Sequence, residues 1–183
     1  MSDRRVRAAL TEDIEPERWA EISSLCEVAF EEPAAALWDH IGPGLHLTID
    51  ADGHLVAHAM LVDRVLFIGA DGGIRLDAGY VENVATAPAD RGRGHGVAVM
   101  EAVARIVRDE YDIGALSTGS HGLYTRLGWE VWTGPTSVRL ADGALQRSAD
   151  QDGHVMVLRT PRTPPDLDLD GPISVEWRPV EAW

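Results

Sequence analysis

Apolar residues recur along the chain with two different periods, and their interleaving predicts alternating strands and helices. Arg5 to Leu10 reads as a strand. After Thr11-Glu12-Asp13 and Pro16, the residues Trp19, Ile22, Leu25, Cys26 and Phe30 follow helical spacing. A second short helix carries Leu37, Trp38 and Ile41 and is ended by Gly42-Pro43-Gly44. His46 to Asp50 alternates as a strand, Asp52-Gly53 marks a hairpin turn, and His54 to Ile68 is apolar enough for a long or bent strand. Asp71-Gly72-Gly73 predicts the next turn and Ile74 to about Thr86 the next long strand. Beyond a Gly- and Arg-rich loop from Pro88 to Gly96, Val97, Met100, Val103, Ala104 and Val107 share one face of a helix that runs to Tyr111. Ile113 to Ser117 reads as a buried strand, Ser120 to Leu127 as a short helix, and Trp129 onward as alternating strands with a turn at Asp142-Gly143.

Thr160 to Pro172 is rich in Pro and Asp, so a loop or extended edge is expected, because Pro cannot donate to a ladder and charge discourages further pairing. From Ile173 to Trp183 the chain turns apolar again and carries two of the six Trp. Such a tail is expected to dock on the body, since exposed Trp on a free terminus is costly.

The 183 residues suit one domain. At 45% hydrophobic and 25% charged residues, wholesale disorder is excluded. The formal charge of −14 argues against nucleic acid and anionic membrane as partners. Every basic residue is Arg. A codon bias accounts for that, with acidity supplying solubility; the sharper alternative is that some carboxylates face a cationic substrate. The single cysteine, Cys26, cannot form an intramolecular disulfide and sits among apolar neighbours, which points to core filling and a cytoplasmic protein. No stretch reaches the roughly 18 apolar residues of a membrane span, and no targeting segment opens the chain.

The chemistry concentrates between Glu82 and Gly96. Gly92, Gly94 and Gly96, directly before a helix, bring backbone N–H groups together at the positive end of its dipole, which suits a pyrophosphate. The spacing fits neither the dinucleotide fingerprint nor the Lys-containing phosphate loop. His95 and His121 read as solvated or capping residues, and no histidine spacing suggests a metal.

The order strand, Arg91-x-x-Gly94-x-Gly96, helix, short strand, then Leu123-Tyr124-x-x-Leu127-Gly128-Trp129 resembles the GCN5-related N-acetyltransferases (GNAT). Within that superfamily, Gly79-Tyr80-Val81-Glu82-x-Val84-Ala85, Gly128-Trp129-x-x-Trp132-x-Gly134-Pro135 and the ending Glu176-Trp177-Arg178-x-x-Glu181-Ala182-Trp183 are similar to the aminoglycoside 2′-N-acetyltransferases. The resemblance implies an α+β fold in α/β/α layers, with a mixed, mostly antiparallel sheet splayed around an acetyl-CoA site. It also implies a homodimer and direct acetyl transfer to an aminoglycoside amine in a ternary complex. The backbone of Val84, Ala85 and Thr86 would pair with the pantetheine arm, and Arg91, Gly92, Arg93, Gly94, His95 and Gly96 would hold the pyrophosphate. Val84 N–H would stabilise the developing oxyanion. Glu82 would take the amine proton through a water, Tyr124 would protonate the departing thiolate, and the Trp183 carboxylate would lie near the reacting amine. Two-residue alternation places Glu82 and Val84 on the same strand face. Substrate contacts carry over to Glu32, Asp39, Asn83, Ser117, Asp152, Glu181 and Trp183, whereas Leu37 stands where that family shows an Asp. Two alternatives stay open: the same chemistry on another small amine or a kasugamycin-like antibiotic, and a silent acetyl-CoA-binding regulatory module.

Overall fold

The computed structural model describes residues 5–38, 40–70, 73–179 and 182–183. The chain divides into two compact units, one built from Met1–Val62 and Val81–Arg105, the other from Asp63–Tyr80 and Ile106–Trp183.

In the first unit, β1 (Val6–Leu10) runs antiparallel to β2 (Leu45–Ala51), and β2 pairs antiparallel with β3 (His54–Ile68). Asp52 and Gly53 join β2 to β3 with φ of 49° and 82°, the two left-handed residues that match a tight hairpin to strand twist. Helix α1 (Pro16–Phe30) has its proline in the first turn and stops where Glu31 turns left-handed at φ 60°, its N–H bonded to the Glu27 carbonyl. Its inner stripe, Ile22, Leu25 and Cys26, is buried with Leu37 of α2 (Ala34–Trp38), Leu55 and Ala85. Helix α2 is shorter than predicted. It ends at Trp38, and Ile41 lies in the following turn, its N–H bonded to the Trp38 carbonyl at 3.2 Å.

The second unit takes β4 (Ile74–Thr86) as far as Tyr80, the end of β3, and β5 (Ile113–Ser117), β6 (Glu130–Val131), β7 (Thr136–Arg139), β8 (Leu145–Arg147), β9 (Val155–Arg159) and β10 (Ile173–Glu176). The strand order is β6-β9-β5-β4-β3-β10-β7-β8. Parallel pairs occur at β4–β5 and β10–β7, while the other registered pairs are antiparallel, so the sheet is mixed. The β4–β5 register ends at Tyr80↔Ala115. Helix α3 (His95–Glu110) buries Val99, Met100, Ala102, Val103, Ala104 and Val107; Val97, expected on that stripe, is only half-buried in the first turn.

The Pro- and Asp-rich segment forms no strand, as its composition predicts, but it is firmly held. Leu169 carbonyl accepts the N–H groups of Thr133 (3.0 Å) and Gly134 (2.8 Å), and Gly171 carbonyl accepts the fully buried Trp132 indole N–H at 2.9 Å. The approach is so close that a Cβ on Gly134 would lie 1.9 Å from the Gly171 oxygen. The tail docks through β10 and Trp183, which is 7% exposed. Trp177, expected to bury with it, is 55% exposed: β10 ends at Glu176, and beyond it the Trp177 N–H bonds the Arg139 carbonyl at 2.9 Å. Among the described residues no helix is long and apolar enough to cross a membrane.

Candidate active site

The second half of β4 carries Glu82, Asn83 and Val84, all half-buried, followed by buried Ala85 and half-buried Thr86. Asn83 has φ 47°, a left-handed residue inside a strand, which Asn tolerates better than most side chains. That residue interrupts the two-residue alternation, so the inference that Glu82 and Val84 share a face does not hold. Asn83 is fixed on both sides: its Nδ2 donates to the Leu37 carbonyl at 3.0 Å, and its own carbonyl accepts from His58 Nδ1 at 2.8 Å.

After a single 3₁₀ turn at Pro88–Asp90, the chain reaches α3 through Gly92 and Gly94, with φ of 77° and 84°. Asp90 is 6% exposed and accepts from Arg93 Nη1 at 2.9 Å, bracing the loop from within. Among the described residues, no backbone acceptor takes the N–H groups of Gly92, Gly94, His95, Gly96 or Val97. These donors, at the positive end of a 16-residue helix, form a cradle for an anion. Arg91 and Arg93 are exposed, whereas His95 is only 4% exposed, and among the described residues its Nδ1 has no hydrogen-bond partner. The expectation of a solvated or capping His95 is therefore corrected: it is the first residue of α3 and its side chain is buried.

In the second unit, Tyr124 lies on α4 (Gly122–Arg126), half-buried and edge-on to Trp129 at 6.3 Å between ring centroids. Its carbonyl accepts the N–H groups of Leu127 (2.9 Å) and Trp129 (3.1 Å), while Gly128 turns at φ 87°, which is why the Tyr-x-x-Leu-Gly-Trp string folds as a unit. Burial pushes the Tyr124 phenol above its ordinary value, so the hydroxyl keeps its proton at neutral pH. His121 is half-buried and occupies the expected capping position, the N-cap of α4, though without a side-chain capping bond; among the described residues its buried Nε2 has no partner.

Of the residues expected to meet substrate, Ser117 donates to Gln151 Oε1 at 2.8 Å at the end of β5. Asp152 accepts from the Thr136 N–H (3.1 Å) and hydroxyl (3.0 Å) and pairs with Arg147, whose guanidinium holds its carboxyl well below the usual carboxylate range. Glu32 is exposed just after α1. Asp39 and Glu181 lie outside the described residues. Leu37, standing where a carboxylate was expected, is 7% exposed in the core, so an Asp there would be a buried charge. Trp183 is held near Arg64, whose Nη2 donates to the Glu176 carbonyl at 2.7 Å and the Ala182 carbonyl at 3.0 Å. Arg64, His46 and His58 are the polar residues that the sequence reading passed over; each is a polar interruption in an otherwise apolar strand. Cys26 is fully buried and its thiol is pushed up to about 12 by burial, in keeping with core filling. Among the described residues, no three His, Cys, Asp or Glu side chains gather as a metal site.

The family model described as an acetyltransferase (GNAT) domain matches residues 11–132, which include both the strand that carries Asn83 and the glycine loop. The chain belongs to the GNAT acetyltransferase family. Across 180 residues it is 34% identical to an aminoglycoside 2′-N-acetyltransferase of Mycolicibacterium fortuitum, covering 97% of this chain and 91% of the relative. Among solved structures, a GNAT-family N-acetyltransferase from Escherichia coli in complex with CoA aligns with a TM-score of 0.62 at 16% identity, over 95% of this chain and 90% of that one. A GNAT acetyltransferase from Brucella melitensis in complex with acetyl-CoA aligns at 0.55 and 18% identity, over 90% and 94%. The fold is the GNAT fold, a mixed sheet flanked by helices, and the protein is an acetyltransferase that uses acetyl-CoA. The donor groups fit that cosubstrate: the N–H groups of Gly92, Gly94, His95, Gly96 and Val97, without a backbone acceptor among the described residues, suit a pyrophosphate.

Proposed function

We propose that this acetyltransferase transfers an acetyl group from acetyl-CoA to an amine of an aminoglycoside, the 2′ amine, as its Mycolicibacterium relative is named for doing. The observation that carries the reading is 34% identity sustained over 97% of the chain, well beyond the segment shared by the family at large.

In this reading the Arg91–Gly96 loop holds the pyrophosphate through the main-chain N–H groups of Gly92, Gly94, His95 and Gly96, and the backbone of Val84, Ala85 and Thr86, beyond the last β4–β5 pair, takes the pantetheine arm as an added strand. Bound acetyl-CoA supplies an acyl group activated as a thioester. Val84 N–H donates to the acyl oxygen, where negative charge develops. Glu82 receives the proton of the incoming ammonium through a water. Tyr124, kept protonated by its burial, hands a proton to the departing sulfur. The polycation is met by Glu32, Asp39, Asn83, Ser117, Asp152, Glu181 and the Trp183 carboxylate, and the −14 charge draws it in. A cytoplasmic homodimer belongs to the same proposal, and light scattering on the purified protein tests the dimer.

One observation favours a second acceptor, a smaller amine or kasugamycin-like antibiotic with fewer positive charges: Leu37 is packed in the core and provides no carboxylate. Release of CoA thiol with acetyl-CoA over a panel of aminoglycosides and smaller amines, with the product checked by mass for one added acetyl, decides between them. No release with any amine would leave only the regulatory, acetyl-CoA-binding reading.

A further inference from the structure

Two histidines inside the first unit take no part in the proposed chemistry, yet they are joined to it. His46 on β2 is 1% exposed and His58 on β3 is fully buried, and they face the same side, because Thr48, two residues after His46, pairs with His58. Their rings lie 5.2 Å apart beside Trp38. A chain of hydrogen bonds runs through them: Thr11 Oγ1 to His46 Nε2 at 3.1 Å, His46 Nδ1 to His58 Nε2 at 2.9 Å, and His58 Nδ1 to the Asn83 carbonyl at 2.8 Å.

The last link fixes both rings. A carbonyl only accepts, so His58 Nδ1 carries the hydrogen; with the ring neutral, His58 Nε2 accepts from His46 Nδ1–H, which leaves His46 Nε2 an acceptor facing the Thr11 hydroxyl, whose hydrogen also lies within reach of the Gly44 carbonyl at 3.1 Å. Burial keeps both rings neutral, His46 lowered to about 4 and His58 to about 3, with the neighbouring ring and Arg18 adding to the effect on His58. The chain is no proton relay, because it ends on an amide carbonyl that cannot pass a proton on. What remains is orientation. The carbonyl of Asn83 and the N–H of Val84 belong to one planar trans peptide, so fixing the oxygen toward His58 fixes the Val84 N–H in the opposite direction. A donor on that oxygen also polarises the same peptide and strengthens its N–H as a donor.

We propose that His58 is a positioning residue for acetyl transfer: its Nδ1–H, backed by His46 and Thr11, holds the left-handed Asn83 peptide so that Val84 N–H and the Glu82 side chain point at the reacting centre. This rests on the reading that Glu82 and Val84 flank that centre.

The test uses two variants that each keep one half of the ring's bonding. In His58→Asn the amide nitrogen sits near the position of Nδ1 and donates to the Asn83 carbonyl, but the bond to His46 is lost. In His58→Gln the amide reaches toward His46 and abandons the carbonyl. At matched Tm, His58→Asn is expected to hold kcat within about threefold, whereas His58→Gln loses about tenfold, a fraction of the 10²–10³ seen when an oxyanion donor is removed outright, with KM for acetyl-CoA unchanged. Independently of activity, ¹⁵N NMR of the wild type is expected to show His58 as the Nδ1–H tautomer, and hydrogen exchange at the Val84 amide to be faster in His58→Gln than in His58→Asn. An Nε2–H tautomer in the wild type, or equal kcat in the two variants, overturns the proposal, and the tautomer reading stands even if a variant fails to fold. Glu82→Gln separates the two levels: full activity there defeats the reading of the site, while a loss there with equal His58 variants defeats only the positioning role.

Discussion

Arg64 Nη2 donates to the Ala182 carbonyl at 3.0 Å while its Nε holds Glu176 Oε1 at the same distance, so one buried guanidinium ties the last residues of the chain to β3. Arg64 is itself lowered from its ordinary value, by burial first and by Arg178 next, and it stays charged at any physiological pH. Replacing it with Gln removes the charge that orders the tail. If the Trp183 carboxylate receives the amine, Arg64→Gln raises KM for a polycationic acceptor by about tenfold, comparable to one charge-assisted hydrogen bond, and leaves KM for acetyl-CoA flat. Steady-state kinetics on both substrates checks this; an equal rise in both points to general unfolding instead. In the wild type, KM for the polycation also climbs with salt between about 0.01 and 0.15 M, as the screening length shortens from about 30 to about 8 Å.

The phosphate cradle makes a second prediction. Gly94, at φ 84°, stands among unpaired N–H groups, and a β-branched side chain there strains the backbone and blocks the anion. Gly94→Val is expected to weaken CoA binding at least tenfold by calorimetry. Gly143→Val is the control, because Gly143 has the same left-handed φ, 87°, in a hairpin turn of the second unit with open space around it. Equal CoA affinities in the two variants would remove the loop from the binding site.

Tyr124→Phe keeps the ring against Trp129 and deletes only the hydroxyl. Loss of a general acid costs about 10²-fold in kcat, with CoA affinity retained. Because burial raises the wild-type phenol, its alkaline limb is expected above about pH 10. Undiminished turnover in the variant would reduce Tyr124 to a packing residue.

The buried histidine pair predicts a pH dependence of stability. Both folded-state values are depressed, to about 4 and about 3, below the roughly 6.5 of an unfolded chain. The unfolded state therefore binds protons first as pH falls, and stability is lost from about 6.5 downward, by up to about 1.4 kcal/mol per pH unit for each histidine. Denaturant unfolding between pH 7 and 5 is expected to show a steeper decline for wild type than for His58→Gln. Parallel declines would mean that the imidazoles are hydrated.

The strands, α1, α3, the glycine loop and the Tyr124 turn were legible because each is local: periodicity, Pro at a helix start, Gly at left-handed positions. What was not legible is non-local. Nothing in the run Glu82-Asn83-Val84 announces that Asn83 is left-handed; the bonds that hold it come from Leu37 and His58, 46 and 25 residues away. Asp152 reads as a free substrate carboxylate in sequence but already bonds Thr136 and Arg147, and His95 reads as part of a polar loop but is buried where α3 begins. Trp177 errs the other way: apolar sequence promised burial, and the end of β10 leaves it exposed.

The central claim is acetylation of an aminoglycoside at its 2′ amine, and one paired assay tests it most directly. CoA release is measured with two aminoglycosides that match except at that position, one carrying an amine and the other a hydroxyl. Turnover with the amine alone, its product bearing a single acetyl on the 2′ nitrogen by NMR, is the predicted result. Equal turnover of both, or acetyl on any other nitrogen, would contradict it.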